Sequence, residues 1–232
     1  MTTNLINPSK LFIMTARSAE VLHSDVDKII SILDPNSYYK TCFANTDKSK
    51  VLFFEDEEEL SNKYQLPNLM HIHSVLEFVD NIKPNETVII HCEAGRSRST
   101  AMAIGCLIYS GLSVKEAVDK VFEIRPKAIP NNLILRLFEH ELNLKECELI
   151  SCVNSQFKKN DFHFNWDFKK SQEFKDDNDD LDLYLTYKEK IILEKNIVNK
   201  SNSVGKSSIN PKKLKKTNKI KHKKEINFDF NR

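Results

Sequence analysis

With 232 residues, 40% of them hydrophobic, the chain has apolar material for one ordinary domain plus an extension that does not pack. Its net charge of +2 hides an asymmetry: residues 1–150 carry 16 Lys+Arg against 21 Asp+Glu, a net −5, and residues 151–232 carry 19 against 12, a net +7. The N-terminus MTTNLINPSKLFIM lacks the pattern of an export signal, no apolar run spans a bilayer, and five cysteines without a CxxC pair argue against a disulfide framework or a zinc site. An intracellular, cytoplasmic chain with reduced thiols is the expectation.

In chain order, Leu11–Met14 reads as a short strand, and Ala19–Leu33 as a strand or helix that ends at the Asp34-Pro35 turn. Thr41–Ala44 and Val51–Phe54 are apolar runs of strand length, after which the acidic run Glu55–Glu59 opens a loop. Over 68–82, Leu69, Ile72, Val75, Leu76 and Val79 recur at helical spacing until Lys83-Pro84-Asn85 stops them. Val88–His91 is a β-branched run and predicts a buried strand. Ser99–Tyr109, apolar on most faces, predicts a buried helix closed by Ser110-Gly111. Val114–Ile124 and Asn132–Leu142 follow as amphipathic helices, separated by Arg125-Pro126 and Pro130. Strands alternating with helices predict an α/β domain over residues 5–150, with a central, mostly parallel sheet flanked by helices.

Beyond about residue 155 the composition shifts to Lys, Asn and Asp. Phe162, Phe164, Trp166 and Phe168, then Leu181, Leu183 and Leu185, alternate with period two on either side of the acidic run Asp176–Asp180. A hairpin added to the domain and a docking segment both fit residues 151–194. From Lys195 to Lys224 there are eleven lysines and no acid, a composition that cannot bury a core and predicts a disordered tail over 195–232.

The stretch VIIHCEAGRSRSTAMAIGCLIYSG, Val88 to Gly111, places a tight loop between the predicted strand and the predicted buried helix. In that arrangement backbone N–H groups converge on an anion at the helix N-terminus. Gly95 fits a loop this tight, where close approach of a ligand leaves no room for a Cβ. Converging N–H dipoles favour the thiolate of Cys92. Arg98, six positions on, can hold two oxygens of a tetrahedral phosphate with its planar fork. Nucleophile, oxyanion cradle and bidentate clamp together describe phosphoryl transfer to a cysteine.

His91-Cys92-x5-Arg98-Ser99 resembles the loop of the cysteine-dependent protein tyrosine phosphatases, and the chain around it resembles their compact dual-specificity branch. The likeness takes in Arg125-Pro126, Pro130-Asn131 and Ile29–Pro35, and covers roughly residues 10–145. The resemblance implies that Cys92 forms a phosphocysteine and that Arg98 binds the phosphoryl group. It further implies that Ser99 hydrogen-bonds the sulfur during breakdown, and that His91 holds the loop and tunes the thiolate. The N–H groups of Glu93, Ala94, Gly95, Arg96, Ser97 and Arg98 would form the cradle, and no metal or other cofactor is needed. The family's proton donor is an aspartate on an upstream loop. Asp56, 36 residues before Cys92 and directly after VLFFE, is in that place, with Glu55, Glu57, Glu58 and Glu59 as neighbours that compete for the role.

The implied reaction is hydrolysis of phosphotyrosine, with phosphoserine and phosphothreonine as further substrates, so the partner is a phosphoprotein. Two alternatives stay open: a phosphoinositide or RNA 5′-phosphatase, and a catalytically weak phospho-binding module. Lipid phosphatases of the superfamily carry lysines where this chain has Glu93 and Arg96, which weighs against the lipid substrate. His71 and His73 read as surface or packing residues, and Cys42, Cys106, Cys147 and Cys152 as plain thiols. Lys212–Lys224 resembles a nuclear-import or nucleic-acid patch, which would let the tail contact polyanions and place the protein in a nucleus.

Overall fold

The structure, a computed structural model, describes residues 6–59 and 63–159. Four strands among them form one sheet: β1 (Leu11–Thr15), β2 (Lys28–Leu33), β3 (Ser49–Phe53) and β4 (Val88–Cys92). The order is β1-β4-β2-β3 and every pairing is parallel, with Leu11 opposite Val88, Ile29 opposite Ile89, and Ile29 opposite Ser49. Parallel strands need crossovers, and both faces of the sheet must then be covered.

Period-two alternation sorts the strand side chains between those faces. Phe12, Met14, Ile29, Leu33, Val51 and Ile89 point to one side, where they meet Ala16, Ala19 and Leu22 of the short helix α1 (Ala16–Leu22) together with Phe43. Leu11, Ile13, Ile30, Ile32, Leu52, Val88, Ile90 and Cys92 point to the other, into the larger core. That core is closed by α2 (Leu69–Val79), α3 (Arg98–Tyr109), α4 (Val114–Ile124), α5 (Asn132–Glu141) and α6 (Glu148–Lys159). Helix α3 lies at its centre, buried from Arg98 to Leu107. It packs so closely on α5 that a Cβ on Gly105 would fall 2.3 Å from the Phe138 ring.

Local chemistry starts the helices where the sequence places them. Asn68 and His71 form a reciprocal capping box on α2, Ser113 and Glu116 form another on α4, and the Asn131 side chain accepts from Ile134 N at the start of α5. Caps of this kind contribute about 1 kcal/mol each.

Three stretches differ from expectation. Ala19–Leu33 is two elements, the end of α1 and then β2, divided by a polar turn at His23–Asp25 where Asp25 N–H donates to the Leu22 carbonyl. Thr41–Ala44 is not a strand and pairs with none of the four. A 3-10 turn, Tyr38–Thr41, takes its first residue, and Phe43 inserts into the α1-side core. Packed structure also runs past residue 150: α6 buries Leu149 and Val153, and Glu139 of α5 caps its start by accepting from Leu149 N at 2.7 Å and Cys147 N at 3.2 Å. The alternating segments at 162–185 and the Lys-rich tail lie outside the described residues. No helix among the described residues is long and apolar enough to cross a membrane.

Candidate active site

Strand β4 ends at Cys92 and α3 begins at Arg98, so the five residues Glu93–Ser97 make the expected strand–loop–helix turn. Gly95 takes φ +65°, and a Cβ there would lie 2.5 Å from the Met14 carbonyl carbon and 2.8 Å from Thr15 N. Glycine is thus required by the left-handed conformation and by the backbone of β1, not only by space for a ligand. The close approach lets Ala16 N–H donate to the Glu93 carbonyl.

Cys92 is 1% exposed. Its Sγ accepts from Gly95 N–H at 3.2 Å and lies 3.3 Å from Ser99 Oγ. Arg98, 3% exposed, donates through Nη1 to Asp34 Oδ1 at 2.6 Å and to the Phe54 carbonyl at 2.7 Å. Burial alone would push the Arg98 pKa down; the negative charges of Cys92, Asp56 and Asp34 outweigh it and hold the pKa above its ordinary value. The guanidinium therefore stays charged, and it and the Cys92 thiolate favour each other's charge.

His91, one residue before Cys92, points to the opposite face of the sheet. Its Nε2 hydrogen-bonds Ser31 Oγ at 2.7 Å and its ring packs on Phe43 at 4.6 Å between centroids. Burial pushes its pKa down to about 3, helped by the charge of Arg98 and opposed by the Cys92 backbone. In the folded protein His91 is a neutral strap between β4 and β2. The unfolded chain binds this proton from about pH 6.5 downward while the folded protein refuses it until about pH 3. Stability therefore falls as pH drops through that window. A His91→Gln variant should show a flatter fall of thermal midpoint over the same range, measured by circular dichroism against wild type.

Asp56 comes to the loop from the end of β3. Its Oδ1 accepts from Ser97 Oγ at 2.7 Å and from Asn131 Nδ2 at 2.9 Å. Ser97 is the residue that precedes α3, and its hydroxyl makes no helix cap because it is turned to Asp56. Two of the four competing carboxylates are engaged elsewhere. Glu55 accepts from Gln65 N, and Glu58 holds the start of α5 through Asn132 N and Nδ2, each at 3.0 Å.

Two residues not assigned a role from sequence hold this assembly. Arg125 is buried and donates to the Gly95 carbonyl at 3.0 Å and the Ala94 carbonyl at 3.4 Å, bracing the loop from α4. Asp34 pairs with Arg98 from the end of β2. Arg96 donates through Nε to the Lys127 carbonyl at 3.2 Å, and its own carbonyl accepts from Ile129 N. His71 and His73 stay outside the site: His71 packs on Phe54 and caps α2, and His73 pairs with Glu141.

The family profile described as dual specificity phosphatase, catalytic domain, matches residues 15–143, more than half of the chain. The chain belongs to the dual-specificity phosphatase family. Its loop, its buried arginine and its acid-bearing turn all fall within that match. Human dual specificity protein phosphatase 8 is 40% identical over 73 residues, 30% of this chain and 12% of the relative. Bovine dual specificity protein phosphatase 18 is 28% identical over 125 residues, 53% of this chain and 58% of the relative. The chain thus spans less than two thirds of these curated relatives. Among solved structures, the Yvh1 phosphatase domain of Chaetomium thermophilum is 22% identical, with a TM-score of 0.43 over 60% of this chain and 94% of that one. Human DUSP28 is 21% identical, with a TM-score of 0.42 over 60% and 98%.

Proposed function

We propose that this dual-specificity-family chain is an intracellular protein phosphatase that hydrolyses phosphotyrosine, and phosphoserine or phosphothreonine as well, through a phosphocysteine. One observation carries the reading. A buried sulfur receives the Gly95 N–H and lies against Ser99 Oγ, its loop leads into a buried guanidinium, and Ser97 of that loop tethers the Asp56 carboxylate.

In the first step the Cys92 thiolate attacks phosphorus, a P–S bond forms and the P–O bond to the leaving group breaks. Asp56 gives its proton to the departing oxygen. Because Oδ1 already accepts two hydrogen bonds, that proton is carried on Oδ2. Arg98 and the N–H groups of Glu93 to Arg98 hold the equatorial oxygens as charge redistributes. In the second step Asp56 takes a proton from water, the water oxygen attacks phosphorus, and the P–S bond breaks. Ser99 donates to the sulfur as it leaves as thiolate. His91 acts at one remove, fixing the end of β4. No cofactor is required for either step.

Glu93 and an Arg96 engaged with Lys127 do not supply the pair of free cations a polyphosphorylated lipid head group would call for. The phosphoprotein reading is therefore the one to test first. Steady turnover of phosphotyrosyl peptides by the full chain, with slower phosphoseryl and phosphothreonyl peptides and little release from phosphoinositides or 5′-phosphorylated RNA, is the expected result. Stoichiometric binding without turnover would make the chain a phospho-binding module instead.

The organisation that goes with this reading is a catalytic domain over residues 5–150 whose packing α6 continues to Lys159, the rest of an extension over 151–194, and a Lys-rich localising tail over 195–232. The tail's lysines attract polyanions, acidic membranes or nucleic acid, with a field screened within about 10 Å at ordinary salt. Removing residues 195–232 should leave turnover of a small aryl phosphate within about twofold while weakening RNA binding and flattening its salt dependence. Equal RNA binding by both chains at low and moderate salt would leave the tail without this role.

A further inference from the structure

We infer that Asp34 is a positioning residue that selects which edge of the Arg98 guanidinium faces the phosphoryl group, an inference that rests on the phosphatase reading above. Nη1 of Arg98 carries two hydrogens, and both are taken, by Asp34 Oδ1 and by the Phe54 carbonyl. Nε is buried and has no acceptor among the described residues. A buried N–H without a protein acceptor is matched to an acceptor that the ligand brings. With Nη1 consumed, the edge formed by Nε and Nη2 is the one left to chelate two oxygens of a tetrahedral oxyanion.

The two acceptors that consume Nη1 are held in register with each other. Asp34 directly follows Leu33, the last residue of β2, and the Leu33 carbonyl accepts from Phe54 N at 3.0 Å. The Asp34 carbonyl accepts from Ser37 N, which closes the turn behind it. Adjacent strand ends thus present a carboxylate and a carbonyl to one nitrogen. Neither acceptor belongs to the phosphate loop, so they fix the arginine from outside it.

The Asp34 side chain is 42% exposed, and a pair so open to water contributes little through its charge alone. Its direction matters more than its attraction. The charge has an opposing effect, because Asp34, like the Cys92 thiolate, is a negative group acting on the same cation and repels an incoming dianion. Orientation and repulsion separate on substitution. Asp34→Asn keeps an oxygen acceptor and removes the charge, whereas Asp34→Ala removes both.

The test uses the full chain, a series of aryl phosphates from activated to unactivated leaving groups, and orthovanadate as a tetrahedral oxyanion probe. Asp34→Ala should lower kcat by about tenfold, by a similar factor for every leaving group, and weaken vanadate inhibition as well. Asp34→Asn should recover kcat to within about threefold of wild type and bind inorganic phosphate more tightly. Wild-type kcat and vanadate inhibition in Asp34→Ala would overturn the inference. So would a loss that grows with leaving-group pKa, since that places Asp34 in proton donation. The rise in thermal midpoint produced by vanadate reads the arginine edge without turnover. An inactive wild type whose vanadate shift is reduced in Asp34→Ala would sink the enzyme reading and support this one; no shift in wild type would overturn both.

Discussion

Replacing Cys92 by serine should abolish hydrolysis, lowering turnover by at least about a thousandfold, while the fold and phosphate-ester binding survive. The hydroxyl is close in size to the thiol and can still accept the Gly95 N–H, so the loop has no reason to rearrange. What is lost is the nucleophile, since an alcohol is not ionised near neutral pH by the same donors. Arg98→Lys should be nearly as damaging. The buried guanidinium meets Asp34, Phe54 and, on the proposal, the phosphoryl group in three directions, and a point charge cannot keep all of them. Turnover of an aryl phosphate by Cys92→Ser within tenfold of wild type would remove the phosphocysteine from the mechanism.

Asp56→Asn is the second large effect, and it should depend on the leaving group. For tyrosyl or alkyl esters the fall is about a hundredfold, equivalent to roughly 2.7 kcal/mol of barrier, because those oxygens must be protonated as they depart. For an activated aryl ester the fall should be much smaller. The basic limb of the pH–rate profile should disappear too. The replacement's amide oxygen can still accept from Ser97 and Asn131, so the change removes a proton and little else. If the same pattern followed substitution of Glu57 or Glu58, and Asp56→Asn left it untouched, the donor would be one of those glutamates.

The parts of the site that lie consecutively in the chain were legible in the sequence. HCEAGRSRS between a β-branched run and an apolar helix specifies the loop, and β4 and α3 begin and end within a residue of the expected limits. Asp56 could be singled out only through the family resemblance, by its place after a strand and 36 residues before Cys92; that it reaches Ser97 and Asn131 was not legible, because those contacts join residues 41 and 75 positions apart. Asp34 was visible only as half of an Asp-Pro turn. Both descriptions are physically correct, but its pairing with Arg98 exists only once β2 lies beside β4. Helix α6 was missed for a related reason. Leu149, Val153 and Phe157 do recur at helical spacing, yet the start of the helix is capped by Glu139 from α5 rather than by a neighbour in sequence. Merging Ala19–Leu33 came from relying on Gly and Pro as breakers, where His23, Ser24 and Asp25 make the turn instead.

The strand order β1-β4-β2-β3 bears on how the molecule comes into being. The strand that carries the nucleophile is the last of the four to leave the ribosome, yet its place is between two that precede it, and Leu11 waits 77 residues for Val88. Until then β1 and β2 each have an open edge facing the gap, the kind of surface on which chains adhere to one another. Pairings so distant in sequence are slow to close. Insertion of β4 therefore joins the sheet and brings the Cys92–Arg98 loop to Asp34, Phe54 and Asp56 in the same event, and a nascent or truncated chain ending before residue 88 would be vulnerable to aggregation and chemically silent.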